Sequence, residues 1–426
     1  MSSTYANVQA WTKQTYGNPV EILPKENSLA KDIDFVAAEE KPGDKYNFPI
    51  RLQHEQGFSY NIDHSAFAVS TPKDGVVKMA QLEGAEILWA GNVSYGIMAK
   101  LGSGNSESAR AYKQAVGDLI ADGMDSSENR REISLLYGSG SSGLANLGVV
   151  DTVVSAVTTT LVVTLTRASY SPGMWNQLLG AAFDFHTSGG TSHTSNAEMV
   201  LAGINPVNGR LTFTGNATDV AAVLAADVIT FRDSRVKSCV GLQAIMENSS
   251  SLFGIDAAVY PQWRCNQYAV GGPLTFDKLQ EALVRAQENG LEDGINLYLP
   301  GAAWTDLMTD EAALRRHVGA DAAGKAKAGY KALEFDSPVG AIKLSTHRFM
   351  KQGLAMAIPT QYAKRVGACD LSFKLPGSKN DWFWQELAAN AGSQIRCYSD
   401  QAVVIEKPNH AVLLTGIASR ADVVPP

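Results

Sequence analysis

"NSESARAYKQAVGDLIADGMDSSENRREISLLYGSGSSG" (105–143) holds two readings at once, a long helix and the spacing Gly138-x-Gly140-x-x-Gly143, which has the lettering of a dinucleotide-binding loop. Asn105 or Ser106 can cap the helix, and Glu107 in the first turn complements its N-terminal partial charge. Ala109, Tyr112, Val116, Leu119, Ile120 and Met124 recur at three- and four-residue spacing and form a narrow apolar stripe ahead of the polar run "DSSENRR". The spacing predicts one helix over 105–138, roughly 50 Å long at about 1.5 Å per residue, lying as a spar across the surface. That helix decides the glycines. A dinucleotide loop needs a strand before it and a helix after it, so that the phosphate rests on amides at the helix N-terminus, and here the order is reversed. Gly138 is a helix C-cap, a flexible turn accounts for the other two glycines, and the sequence calls for no cofactor.

Upstream of the spar, "FSYNIDHSAFAVS" (58–70), the turn "TPKDG" (71–75) and "VVKMAQLEGAEILWAG" (76–91) read as a long hairpin. With about 13 residues per arm it reaches roughly 40 Å, more than a compact domain needs for its own sheet. Its apolar residues Phe58, Tyr60, Ile62, Phe67 and Val69 therefore require a partner surface. Residues 1–49 carry Pro19, Pro24, Pro42 and Pro49 among mixed charges and suit an extended arm rather than a packed domain. "SYGIMAKL" (94–101) is a short helical piece.

Downstream, residues 150–236 form a β region, with Asn208-Gly209 as a turn before an alternating run. "LTFDKLQEALVRAQENG" (274–290) is a helix with Thr275 as cap, Phe276, Leu279, Leu283 and Ala286 as stripe and Gly290 as stop. "INLYLP" (295–300) reads as a buried strand, "DEAALRRHV" (310–318) and "DWFWQELAANAG" (381–392) as helices, and "QAVVIEKPNHAVLLTGI" (401–417) as two strands.

The chain of 426 residues has length enough for two or three domains, and its 45% hydrophobic and 19% charged content is that of a globular protein. A net charge of −7 and the lack of a basic cluster argue against general nucleic-acid binding. The four cysteines, Cys239, Cys265, Cys369 and Cys397, lie far apart without a C-x-x-C pair and read as buried free thiols. No signal peptide or membrane span is legible. Asp184, His186 and His193 in "FDFHTSGGTSHTS" (183–195) come nearest to a ligand cluster, but two histidines seven apart across Gly189-Gly190 lack the same-face spacing of a helical zinc site. They read as a polar surface loop. No catalytic, cofactor or metal residues are assigned.

An arm, a long hairpin, a spar helix, a β layer and an α/β portion follow one another without an active site. The succession "EGAEILWAGNVSYGIMAKL", "RREISLLYG", "AAVYPQWRCNQY", "LTFDKLQEAL", "NLYLPGAAWTDLM", "SPVGAIKLSTHRFMKQGLAMAIP", "KRVGACDLSFKLPG" and "RCYSDQAVVIEKPNHAVLLTGI" resembles the major capsid proteins of tailed double-stranded DNA bacteriophages, over about residues 50–417. The resemblance implies the Hong Kong-type capsid fold, an α+β architecture. Its parts would be an N-terminal arm (1–49), an extended-loop or E-loop hairpin (50–91), a peripheral domain (92–251) with the spine helix 105–138 and the β region, an axial α/β domain (252–365), and a return to the peripheral domain with the C-terminal strands (366–426). It implies a non-enzymatic structural protein that self-assembles into the hexamers and pentamers of an icosahedral head. It further implies a virion location after synthesis in the host cytoplasm, portal and possible scaffolding or decoration proteins as partners, packaged DNA held without sequence-specific binding, and no membrane. An uncleaved arm starting near Met1 is expected. Lys73 and Lys78 would be available for E-loop contact or cross-linking, beside their plainer role as solvated lysines. The alternatives are an encapsulin-like compartment shell and an α/β enzyme using the 183–195 loop.

Overall fold

The computed structural model describes residues 29–37, 45–64, 66–96, 107–140, 146–193, 198–292, 294–310, 332–337, 340–375, 383–387 and 391–422. The protein is a mixed α+β structure built around the helix Glu107–Tyr137. Gly138 ends it as expected, its amide donating to the Ser134 carbonyl at 2.8 Å, and Gly140 takes a left-handed φ of +47°. The stripe is only part of how this helix packs. Met124 is exposed, whereas Arg131 to Tyr137 are buried on every side, so the spar lies on the surface at its middle and is driven into the core at its end.

Three sheets meet that end. Residues 148–231 form a closed antiparallel barrel in the order Val228–Phe231, Gly148–Val157, Thr160–Leu165, Arg210–Thr214, Met199–Asn205 and Ala182–His186. Trp175, on the short helix Pro172–Gln177, is fully buried against Phe183 and Phe213, with ring centroids 5.4 and 6.4 Å away. The predicted β region is thus a barrel, and Gly209, with φ +64°, makes its Met199–Asn205 to Arg210–Thr214 turn.

A six-stranded mixed sheet runs Asn266–Gly272, Val412–Ile417, Leu354–Ile358, Ile295–Leu299, Gly340–Thr346 and Ala332–Ser337. Both faces are covered, and the pleat divides them: Ala355, Ala357, Val412 and Leu414 face the helix Phe276–Glu288, while Met356, Ile358 and Leu413 join the core around the long helix. The helix 276–288 forms as its sequence predicts, with Thr275 Oγ1 accepting from the Lys278 amide and Gly290 at φ +92°.

The third sheet centres on Gly392–Ile405. Ala85–Ser94 pairs along one edge, while Trp384–Glu386 and Ala363–Ser372 share the other, and Phe35–Ala37 adds in parallel beyond the latter.

Several expectations are corrected. The hairpin strands are Lys45–Gln53 and Val76–Glu83, so pairing begins inside the supposed arm rather than at residue 50. Pro49 is tolerated there because Lys45–Gln53 is an edge strand. Residues 58–70 are not a strand, and Ala85–Ser94 leaves the hairpin for the third sheet. The arm is not wholly unpacked, since Leu29 and Ile33 are buried and Phe35–Ala37 is a strand. The helix expected at 381–392 gives way to the strand Trp384–Glu386, where pairing with Ser393–Ile395 overrides helical propensity. Of the two C-terminal strands only Gly392–Ile405 joins the third sheet; Val412–Ile417 lies inside the six-stranded one. Residues 1–28, all but the first residue of the helix expected over 310–318 and most of the piece 94–101 lie outside the described residues.

Candidate assembly surface

The base of the hairpin is anchored. Tyr46, Leu52, Ala80 and Leu82 are buried in a cluster with Ile255, Trp263, Val366 and Val404. Beyond it, mutual amide-to-carbonyl bonds of 2.9 Å between Gln56 and Lys73 close a neck, from which residues 57–72 project. The tip is built rather than loose: the Ser70 amide donates to Ser59 Oγ at 2.6 Å, Ser70 Oγ to the Phe58 carbonyl at 3.0 Å, and the Asp63 amide to Asn61 Oδ1 at 2.9 Å.

All five apolar candidates sit on this projection, and their exposures are 70% for Phe58, 92% for Tyr60, 87% for Ile62, 49% for Phe67 and 76% for Val69. Five large apolar side chains shown to water on one loop form an exposed apolar patch, the kind of feature that marks interaction sites. Lys73 is exposed at the neck and Lys78 on the strand Val76–Glu83, so the two lysines do not share the tip.

A groove of about 570 Å³ opens elsewhere, between Ala85–Ser94, the middle of the long helix and the loops at 177–181 and 231–238. Trp89 seats itself against the long helix at Gly123, where any Cβ would collide with the indole. Arg130 lies flat on Phe231, its guanidinium carbon 3.2 Å from the ring centroid. Burial pushes the Arg130 guanidinium down to about 10. The acids around the rim are engaged elsewhere: Asp233 sits 3.6 Å from Arg232 and 4.0 Å from Lys237, and Glu86 accepts from the Tyr398 hydroxyl at 2.9 Å.

Sequence reading also missed the polar groups at the buried helix end. Glu132, fully buried, accepts from the amides of Leu29 and Ala30 at 2.9 and 3.1 Å and pairs with His347 Nε2 at 2.9 Å. Arg365 holds the carbonyls of the same segment, Ala30 at 2.8 Å and Ile33 at 2.9 Å. The segment at 29–33 is therefore gripped by its amides and its carbonyls at once. Lys351 is buried with Nζ donating to the Asn146 carbonyl at 2.7 Å and Gln243 Oε1 at 2.9 Å, over the Tyr137 ring at 4.3 Å. Desolvation pushes its ammonium down to about 7. "DSSENRR" reads as a polar run because it holds four charges in seven residues, with Glu132 a fifth just after it; the signal that could have found the buried ones is the all-round apolar pattern of Ile133, Leu135, Leu136 and Tyr137, which takes Arg131 and Glu132 into the core with it.

The polar loop expected at 183–195 is corrected: Asp184 and His186 lie on the barrel strand Ala182–His186, and His186 is buried. His186 Nε2 lies 3.1 Å from Thr230 Oγ1, His193 Nε2 3.1 Å from Asp227, and Asp184 Oδ2 accepts from the Asp233 amide at 2.7 Å. No trio of His, Cys, Asp or Glu among the described residues is arranged to hold a metal ion. Burial raises the thiols, Cys239 to about 12 and Cys397 to about 11, far from a nucleophile's range. No helix of the described residues is long and apolar enough to cross a membrane.

No family model and no curated protein matches the sequence. Among solved structures, the protein is similar to the capsid asymmetric unit of Cyanophage A-1(L), with a TM-score of 0.51 and 10% identity, covering 95% of this chain and 98% of that one. It also aligns with the capsid of a native GTA particle (TM-score 0.45, 9% identity, 95% of each chain). An encapsulin complex from Synechococcus elongatus aligns as well (TM-score 0.40, 10% identity, 98% of this chain and 95% of that one). An alignment that covers 95% of the chain at a TM-score of 0.51 is a likeness of fold: this protein has the fold of a phage capsid subunit.

Proposed function

We propose that the protein is the structural subunit of an icosahedral phage head, self-assembling into hexamers and pentamers around double-stranded DNA. The observation that carries this reading is the hairpin: an anchored base with five apolar side chains on a projecting tip that its own chain leaves uncovered. In this reading the hairpin is the E-loop, Glu107–Tyr137 the spine helix, the third sheet and barrel the peripheral part, and the six-stranded sheet with its helix the axial domain. Assembly needs no chemistry. Each copy buries apolar surface against its neighbours, and a contact too weak alone becomes strong when every subunit repeats it around a closed shell. The acidic chain confines DNA rather than reading it. Portal and scaffolding proteins are partners that this role brings with it.

Electron microscopy and sedimentation of the purified full chain test the reading, with closed shells or rings expected and a monomer at every concentration refuting it. Replacing residues 57–72 by a short Gly-Ser link is expected to leave circular dichroism unchanged and abolish closed shells. The cut stops at 72 because Val76–Glu83 and Ala85–Ser94 pair within the subunit. Shells of normal size from this variant would show that the tip is no clamp.

A further inference from the structure

The geometry points to the groove around Arg130 as the receptor for the hairpin tip of a second copy of this chain, with Asp63 of the incoming tip supplying the carboxylate that Arg130 lacks. The inference rests on the shell-subunit reading and deepens it, by assigning the surface that the tip meets and the charge that sets its register.

Two unmatched features make the case. On one side is a half-buried guanidinium stacked on Phe231, with no carboxylate or hydrogen-bonding partner among the described residues. Covering an unpaired cation is costly, and a carboxylate that arrives with the covering surface removes that cost. Its groove is apolar at Trp89, Leu179 and Phe231, and Leu179 and Leu88 are more than half exposed there. On the other side is a tip whose residues 57–72 contain a single charge at neutral pH, Asp63. Asp63 stands beside Ile62 and near Tyr60, the two most exposed apolar side chains of the tip, and forms no ion pair among the described residues. The groove also carries Arg232 and Lys237, but both are paired with Asp233, so the one carboxylate of the tip matches in sign the groove cation that has no partner among the described residues. The other acids of the hairpin stand outside the tip: Glu55 and Asp74 flank the neck, and Glu83 pairs with Lys45 at the base, 2.6 Å apart. The tip cannot already occupy its own chain's groove, because its side chains are exposed.

A double-mutant cycle on the full chain tests this, using Arg130→Met, Asp63→Asn and the pair together. Arg130→Met is expected to leave the urea midpoint of the unassembled subunit little changed, since methionine still packs on Phe231, and yet to raise the concentration needed for assembly about tenfold or more. Asp63→Asn should bring the same assembly loss without moving the subunit's stability, since the residue is exposed. The double variant should assemble no worse than either single one, as a broken pair cannot be broken twice. Losses that multiply to roughly a hundredfold would overturn the pairing, as would Arg130→Met assembling like the wild type. A second readout uses Asp63→Cys with Arg130→Cys in a Cys369→Ser background: oxidised shells should yield disulfide-linked copies on a non-reducing gel. Shells without such links refute the groove alone, whereas a wild-type chain that never oligomerises refutes the shell reading and this inference together.

Discussion

Replacing Lys351 by Met should alter how stability depends on pH, and the structure supplies both terms. The folded-state ammonium is pushed from 10.5 to about 7 by burial, only partly offset by Glu247. Below pH 7 the side chain is charged in both states, and the folded state bears the desolvation cost. Between about pH 7 and 10.5 the unfolded chain binds a proton that the folded one does not, so stability rises with pH, by up to about 1.4 kcal/mol per unit and about 5 kcal/mol in all. Methionine removes this term but leaves the Asn146 carbonyl and Gln243 Oε1 without their donor, a loss of about 1–2 kcal/mol each. The variant is thus expected to be more stable than the wild type by about 1–3 kcal/mol at pH 6 and less stable by about 1–3 kcal/mol at pH 10. Urea unfolding below the assembly concentration, followed by tryptophan fluorescence, measures both. Only the difference between the two proteins matters, because raised tyrosines such as Tyr298 and raised thiols act equally on each. Two pH curves that run parallel, with a swing under about 1 kcal/mol, would refute the placement of a strongly desolvated amine at this junction.

Two further outcomes follow from the buried groups. Glu132→Ala should cost about 3–5 kcal/mol, since it strips the acceptor from two buried amides and from His347, and hydrogen exchange should then accelerate at Leu29 and Ala30; unchanged protection there would show that Arg365 alone holds the segment. A thiol reagent at pH 8 should label Cys369 first and reach Cys239, Cys265 and Cys397 only on unfolding, because Cys369 alone of the four is not buried. Rapid labelling of Cys265 in the folded protein would contradict its burial.

The elements that sequence made legible are those whose pattern is local. Thr275, the stripe Phe276-Leu279-Leu283 and Gly290 lie within one helix, and helix 276–288 formed where they place it. Gly138 likewise ends the long helix at the point that excludes a nucleotide loop. What failed was pairing at a distance. Lys45–Gln53 finds Val76–Glu83 across the whole tip, and Trp384–Glu386 becomes a strand through Ser393–Ile395, neither of which a local period reveals. At the candidate site, apolar residues in a run too long for an internal hairpin were enough to mark Phe58, Tyr60, Ile62, Phe67 and Val69. Arg130 was not legible, because a lone arginine in a charged run looks solvated until Phe231, a hundred residues on, is folded beneath it.

The place of Val412–Ile417 also sets a clock for biosynthesis. The strand lies between Asn266–Gly272 and Leu354–Ile358, and among the described residues Asn266–Gly272 pairs with nothing else in its sheet. A nascent chain that has already emerged past Gly272 must therefore wait about 140 residues, on the order of ten seconds of translation, before that edge can be filled. Until then the helix 276–288 has an incomplete sheet to pack on, since Val412, Leu414 and Ile417 belong to its core. A polypeptide interrupted before residue 412 cannot complete this unit, so prematurely terminated products are left with an open sheet and exposed to proteolysis.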